Sequence, residues 1–358
     1  MEASKNKGSV KRRGFVSVGL VALGGALGWA ARKFQGPGVA RNGAPKTTGT
    51  PDNRFAFDTS EFEKTDPDKL LYEPAGEFET GLANVKRLEI SKDNRVLVAG
   101  DREVRFFDAQ GQTDSSVDIA LDKPTHCLHV AGEDELIIGT ANRIEMYDFN
   151  GERKLQGPVL SGKAFLTAIA TNEDSVFIAD AGNREVVVCD RKTGQEKFRF
   201  GKKDEEKGNP GFAVPSPYFD LAVATDGRLR VADTGRLQIE TYTVEGEFQS
   251  AWGQPGMKID RFCGCCNPVY FALTKDGDFI TSEKGLARIN HYTGDGEFLG
   301  AVAGPDTLVP DKEMVRKANL GGTVGVGFDV ALNQQGHVLA LDPYRKSVRT
   351  FAPKQQDS

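Results

Sequence analysis

The chain has 358 residues, 39% of them hydrophobic, enough to bury the core of one large repeat domain or two ordinary ones. Forty-one glycines and 22 phenylalanines against 4 methionines favour many turns joined by short aromatic-anchored strands, and no sustained helical periodicity follows the first 35 residues. A formal net charge of −5 with dispersed basic residues excludes a global field that would collect nucleic acid.

At the N-terminus Lys5, Lys7 and Lys11-Arg12-Arg13 precede residues 15–31, 17 residues without a charge. A basic cluster before an apolar run is a topology signal, and the run lies at the lower edge of the roughly 17–25 residues that span a bilayer as a helix. Lys11-Arg12-Arg13-Gly14-Phe15-Val16 resembles the twin-arginine export signal, although it lacks the common Ser or Thr before the pair and the Lys after the apolar residue. An ordinary signal-anchor with two arginines is the alternative. Gly28-Trp29-Ala30 meets the small-residue rule for signal cleavage only narrowly, and there is no Leu-x-Gly-Cys lipobox. Residues 1–31 are therefore expected to be a signal or membrane anchor. This places the rest of the chain in the periplasm, tethered to the cytoplasmic membrane or, after cleavage, soluble there. Residues 32–68, with Gly-Pro-Gly and Thr-Thr-Gly-Thr-Pro, read as a flexible linker.

From residue 69 to 353 the chain aligns on itself as six units. Each has an alternating strand, a turn, a second strand ending in a small residue and an acid, a polar turn, and a third strand closing on an aromatic. The last two strands read VLVAGDREVRFFDAQG from Val96, LIIGTANRIEMYDFNG from Leu136, VFIADAGNREVVVCDRKTG from Val176, LRVADTGRLQIETYTVEG from Leu229, FITSEKGLARINHYTGDG from Phe279 and VLALDPYRKSVRTFAP from Val338. Taking Thr140, Asp180, Asp233, Glu283 and Asp342 as equivalent, the spacings are 40, 53, 50 and 59 residues, near the roughly 40–50 of a four-stranded propeller blade. The expected fold is an all-β, six-bladed β-propeller preceded by a hydrophobic helix and linker, with residues 354–358 as a tail. Unit six ends without an outer strand, and residues 69–82 (KLLYEPAGEFETGL) are expected to supply it and close the ring.

Ile178-Ala179-Asp180-Ala181-Gly182-Asn183-Arg184 and Val231-Ala232-Asp233-Thr234-Gly235-Arg236 resemble the turn of the NHL repeat, apolar-Ala-Asp-x-Gly-Asn-x-Arg. The resemblance covers about residues 84–353, is strong in units three and four and is degenerate elsewhere, unit five having Glu283 and unit six Asp342-Pro343-Tyr344-Arg345. It implies a propeller that serves as an interaction platform. The acid and arginine are expected to bridge or cap the turn, and the glycine to supply a positive φ.

Aligned entrances to the innermost strands give Arg87, Cys127, Leu166, Asp220, Tyr270 and Asp329 as a ring near the central channel. Two acids, an arginine and a tyrosine there are candidates for binding a small polar ligand or a cation, against the alternative that Asp220 and Asp329 cap neighbouring backbone. His126-Cys127-Leu128-His129 is a weak metal candidate because the two imidazoles point to opposite faces of a strand. NHL-like propellers include lyases that use three inner-strand histidines and lactonases that use a Glu, Asp and Asn cluster around a metal. Here only His126 or His129 echoes the first, and Asp220, Asp329 and Asn267 the second.

The least generic stretch is Phe262-Cys263-Gly264-Cys265-Cys266-Asn267-Pro268, which holds three of the five cysteines. It resembles loops in uncharacterised exported NHL-repeat proteins, a likeness that carries no activity. Three chemistries remain open for it. One is a disulfide, Cys263–Cys266 or a strained vicinal Cys265–Cys266; another is a metal ion held by Cys263, Cys265 and Cys266; the third is a reactive thiol. Cys189, within Val186-Val187-Val188, reads as packing. Two functions compete: a binding or scaffold module for a protein, peptide or envelope component, and a metal- or thiol-dependent enzyme or electron-transfer protein.

Overall fold

The computed structural model describes residues 59–113, 118–206, 208–318 and 326–355. The apolar stretch 15–31 and most of the linker lie outside these residues. Among the described residues no helix is long and apolar enough to cross a membrane.

Six four-stranded antiparallel sheets follow one another along the chain. Blade one covers residues 87–120, blade two 127–156, blade three 166–200, blade four 221–252 and blade five 270–303. Blade six takes three strands from residues 329–353 and its outer strand from Tyr72–Glu79, which pairs antiparallel with Ser347–Pro353. That outer strand tolerates Pro74 because an edge position needs no ladder donor on its far side. Phe78 on it packs its ring 5.0 Å from Phe107 of blade one, joining last blade to first.

The second strand of each blade is buried on both faces, as in Val96–Ala99 and Ser175–Asp180, because each sheet is sandwiched between its neighbours. The seam between blades three and four shows the packing: Phe177, Val186 and Val188 meet Phe219, Leu221, Leu229 and Tyr242. Each such side chain contributes roughly 1.5–3 kcal/mol by leaving water. The fourth strands, such as Arg153–Gln156, lie at the exposed rim.

The acid ending the second strand clasps the loop that enters its own blade. Asp180 accepts from Phe165 N (2.9 Å), Asp233 from Ala213 N (3.0 Å) and Glu283 from Cys263 N (2.7 Å). In blade four Arg236 pairs with Asp233, whereas in blade three Arg184 is exposed and Asn183 takes its place, donating to Asp180 at 2.7 Å. The expected glycine role is corrected. Neither Gly182 nor Gly235 has a positive φ; the left-handed residues of these turns are Arg184 (φ 58°) and Leu237 (φ 60°). The glycines are needed for close approach, since a Cβ at Gly182 would stand 1.9 Å from Lys163 O and one at Gly235 2.4 Å from Ala213 O.

Residues 59–68, assigned above to the linker, form one 3-10 turn, Ser60–Phe62, and enter a second, Pro67–Lys69, against the propeller. Glu63 pairs with Lys312, and Thr65 N donates to Asp306 at 3.5 Å. Their partners lie in the long connection between blades five and six, which carries two short helices, α1 (Pro305–Leu308) and α2 (Lys312–Ala318).

Candidate functional site

Four of the predicted channel residues meet. Arg87 enters from blade one and donates through Nη2 to Asp220 Oδ1 of blade four at 3.1 Å. Its Nε lies 3.4 Å from Asp329 of blade six, and its guanidinium carbon sits 4.8 Å from the ring centre of Tyr270 of blade five. Both carboxylates also cap inner strands: Asp220 accepts from Phe271 N (3.0 Å) and Asp329 from Leu88 N (2.7 Å). One arginine thus bridges blades across the channel and is neutralised by two acids. Burial lifts the Asp329 carboxyl to about 7 even against Arg87, and it raises Asp220 as well. Burial opposes the Arg87 charge, but Asp329 and Asp220 outweigh it and hold the guanidinium protonated. Arg87 Nη1 is buried without a hydrogen-bond partner.

The other ring positions divide. Leu166 does not belong to the ring: it sits in the core beside Cys127, opposite Asp180, and a bulge between Leu166 and Ala168 leaves Thr167 as the extra, unpaired residue. Thr167 Oγ1 donates to Phe219 O of the next blade at 2.6 Å. Cys127 is fully buried, and burial pushes its thiol up to about 12. His126 stacks on Phe165 at 4.6 Å, while His129 contacts Thr171 (3.1 Å) and Glu89 (3.4 Å), so the two imidazoles share no ligand position. Asn267 lies outside the channel cluster and is used within its own loop.

That loop is held at every turn. The Asn267 amide donates to Cys263 O (2.6 Å) and Lys284 O (3.0 Å) and accepts from Lys284 N (2.9 Å). Gly264 supplies a left-handed φ of 77°, and the Asn267–Pro268 bond is cis. Beneath the loop, Glu283 and Arg288 form a buried pair at 2.8 Å, and Arg288 also donates to Met257 O, Lys258 O and Arg261 O.

All five cysteines are free thiols in this structure, with no Cys263–Cys266 or Cys265–Cys266 bond. Cys265 is exposed, Cys266 is buried, and their sulfurs stand 3.4 Å apart in hydrogen-bond contact. Burial, with Glu283 adding, pushes the Cys263 thiol up to about 11. Among the described residues no three His, Cys, Asp or Glu side chains gather as a metal-ligand set. The sulfurs fail to converge because Cys265 and Cys266 face each other while Cys263 Sγ is buried 3.9 Å from the Asn267 amide.

The thiol loop forms one wall of a cleft of about 490 Å³. Leu286, Ala287, Pro305, Val309 and Val315 make its apolar side, with Lys284 and Lys312 among the polar lining groups. The helices α1 and α2, which supply Pro305 and Val315 to this side, were not anticipated from the sequence.

Neither a protein-family model nor a curated protein sequence matches the chain. Solved structures do. Streptogramin B lyase superimposes with a TM-score of 0.53 at 13% identity, covering 78% of this chain and 97% of that one. A catalytically inactive virginiamycin B lyase from Staphylococcus aureus with quinupristin gives 0.51 at 13%, covering 77% and 83%. A protein of unknown function from Bacteroides thetaiotaomicron gives 0.54 at 13%, covering 79% and 73%. At such identity the likeness shows the propeller fold and no shared chemistry.

Proposed function

We propose that this chain is an exported NHL-type propeller, anchored to the cytoplasmic membrane by residues 1–31 with its propeller in the periplasm. It acts there as a binding module, taking an apolar segment of a protein, peptide or envelope component into the cleft beside residues 262–268. The turn sequences of blades three and four support the family reading, and the basic cluster before residues 15–31 supports the location.

The observation that carries the binding role is the contrast in access. The channel is bridged by Arg87 and its two acids, whereas the cleft presents an apolar wall and two lysines around about 490 Å³ of space. The test is a thermal-shift screen of the full chain against peptides and envelope saccharides, followed by calorimetry on Val315→Asp. The expected result is a ligand whose affinity falls when the charge enters the cleft and persists in Arg87→Met. The reverse pattern would move the site to the channel and sink this reading. For location, replacing Arg12 and Arg13 together by Lys is expected to leave the chain in the cytoplasm on cell fractionation; normal export of that variant would remove the twin-arginine reading.

A further inference from the structure

We infer that Cys265 and Cys266 form a reversible dithiol–disulfide exchange site, which acts on a thiol- or disulfide-bearing ligand entering the cleft. This rests on the reading of the cleft as the ligand site and adds the chemistry of the ligand. Three observations carry it. The two sulfurs are already in contact at 3.4 Å. They differ in access, Cys265 exposed and Cys266 buried, which is the asymmetry an attacking thiol and its resolving partner need. The loop is fixed around them by the Asn267 amide and by the Glu283 carboxylate on Cys263 N, so the pair is presented on a rigid support.

Adjacency itself argues for reversibility. Consecutive Cα atoms across a trans peptide are about 3.8 Å apart, below the roughly 4.4–6.8 Å usual for bridged cysteines. A bond between them is strained and easily reduced, unlike a structural clamp. The third loop thiol, Cys263, is buried against Asn267 and stands outside the exchange.

The chemistry balances without any other reagent. The Cys265 thiolate attacks one sulfur of a ligand disulfide; a Cys265–ligand bond forms, the ligand's own S–S bond breaks, and its second sulfur leaves and takes up the proton lost by Cys265. The Cys266 sulfur then attacks Cys265, closing the vicinal bond and expelling the remaining ligand sulfur, which takes the Cys266 proton. Two protein thiols are oxidised and one disulfide is reduced to two thiols, a two-electron transfer that runs backward with a ligand dithiol.

The test uses the full-length chain in detergent with oxidised and reduced glutathione as probes, trapping by alkylation, and mass spectrometry of the peptide containing residues 262–268. Oxidised glutathione is expected to remove alkylation at Cys265 and Cys266 together and to spare Cys263, and reduced glutathione to restore both. Cys266→Ala is expected to stop at a Cys265–glutathione adduct, and Cys265→Ala to lose exchange; Cys265→Ser serves if the alanine variant melts without cooperativity. Continued alkylation of both thiols, a bond that recruits Cys263, or a bond that resists reduced glutathione would each overturn the inference. Glutathione exchange is read without any cleft ligand, so the two readings separate: exchange that persists when the binding screen finds no ligand removes the cleft reading alone, and a cleft ligand bound by a chain that shows no exchange removes this inference alone.

Discussion

The channel and the base of the thiol loop each bury a guanidinium against carboxylate, yet they differ in stoichiometry. Arg288 meets one acid, Glu283, and its remaining donors go to three backbone carbonyls, so every nitrogen is used. Arg87 meets two acids and keeps Nη1 without a partner. A saturated pair holds one geometry, although burial raises the Glu283 carboxyl. A set with an excess acid and spare hydrogen-bonding capacity responds to pH and leaves a donor for an ordered water. The loop clasp is accordingly structural, and the channel cluster is one of the pH-sensitive parts of the propeller.

The contrast is broken most directly by Arg87→Met, which strands two carboxylates in the channel. A loss of about 3–5 kcal/mol at pH 7 is expected from urea melts, shrinking at pH 5 as the acids take up protons; equal losses at both pH values would refute the excess-charge account. Arg288→Met is expected to cost about 3 kcal/mol and to expose residues 256–262 to protease, because three carbonyl tethers go with the charge. Glu283→Asp shortens the acid by one methylene and withdraws it from Cys263 N, for an expected cost of about 1–3 kcal/mol. An unchanged melt would mean the loop holds itself.

The smallest effect, taken per pH unit, is in the unaltered protein. The folded Asp329 carboxyl titrates near about 7 against an ordinary 3.8, so between these values the folded state holds a proton the unfolded chain has released. Its contribution is complete at low pH and is lost as pH rises toward 7, with a slope of at most about 1.4 kcal/mol per unit. Glu240 in blade four, also held at about 7 by burial, adds the same sign. Asp329→Asn should reduce the slope measured at pH 5, 6 and 7 and leave the Glu240 part.

The blades were legible because their second strands repeat a short apolar run, closed by an acid in blades three to six, and the Asp180 and Asp233 turns spell it most fully. The channel partners Arg87, Asp220, Tyr270 and Asp329 followed from the same register. Leu166 was misplaced by one residue: the interval that reaches Asp220 from Asp233 reaches Thr167 from Asp180, the residue that the bulge leaves unpaired. The glycine role was misread because close approach and positive φ leave the same letter. The cleft was not legible at all. Part of its wall, Pro305 and Val315, comes from α1 and α2, too short to carry a helical period, and their place beside the thiol loop is set by tertiary packing.

The strand Tyr72–Glu79 lies beside Ser347–Pro353 with Tyr72 opposite Pro353, so the two ends of the propeller are neighbours in one sheet. In connectivity, the domain is nearly a circle with a nick in its last blade. A hairpin-sized linker from Pro353 to Tyr72 would seal that nick, and new termini opened in an exposed loop of another blade would give a circular permutant with the same six sheets. The order in which the blades are synthesised would then be free to change, with the loss of residues 59–71, whose Glu63 pairs with Lys312 beside the cleft.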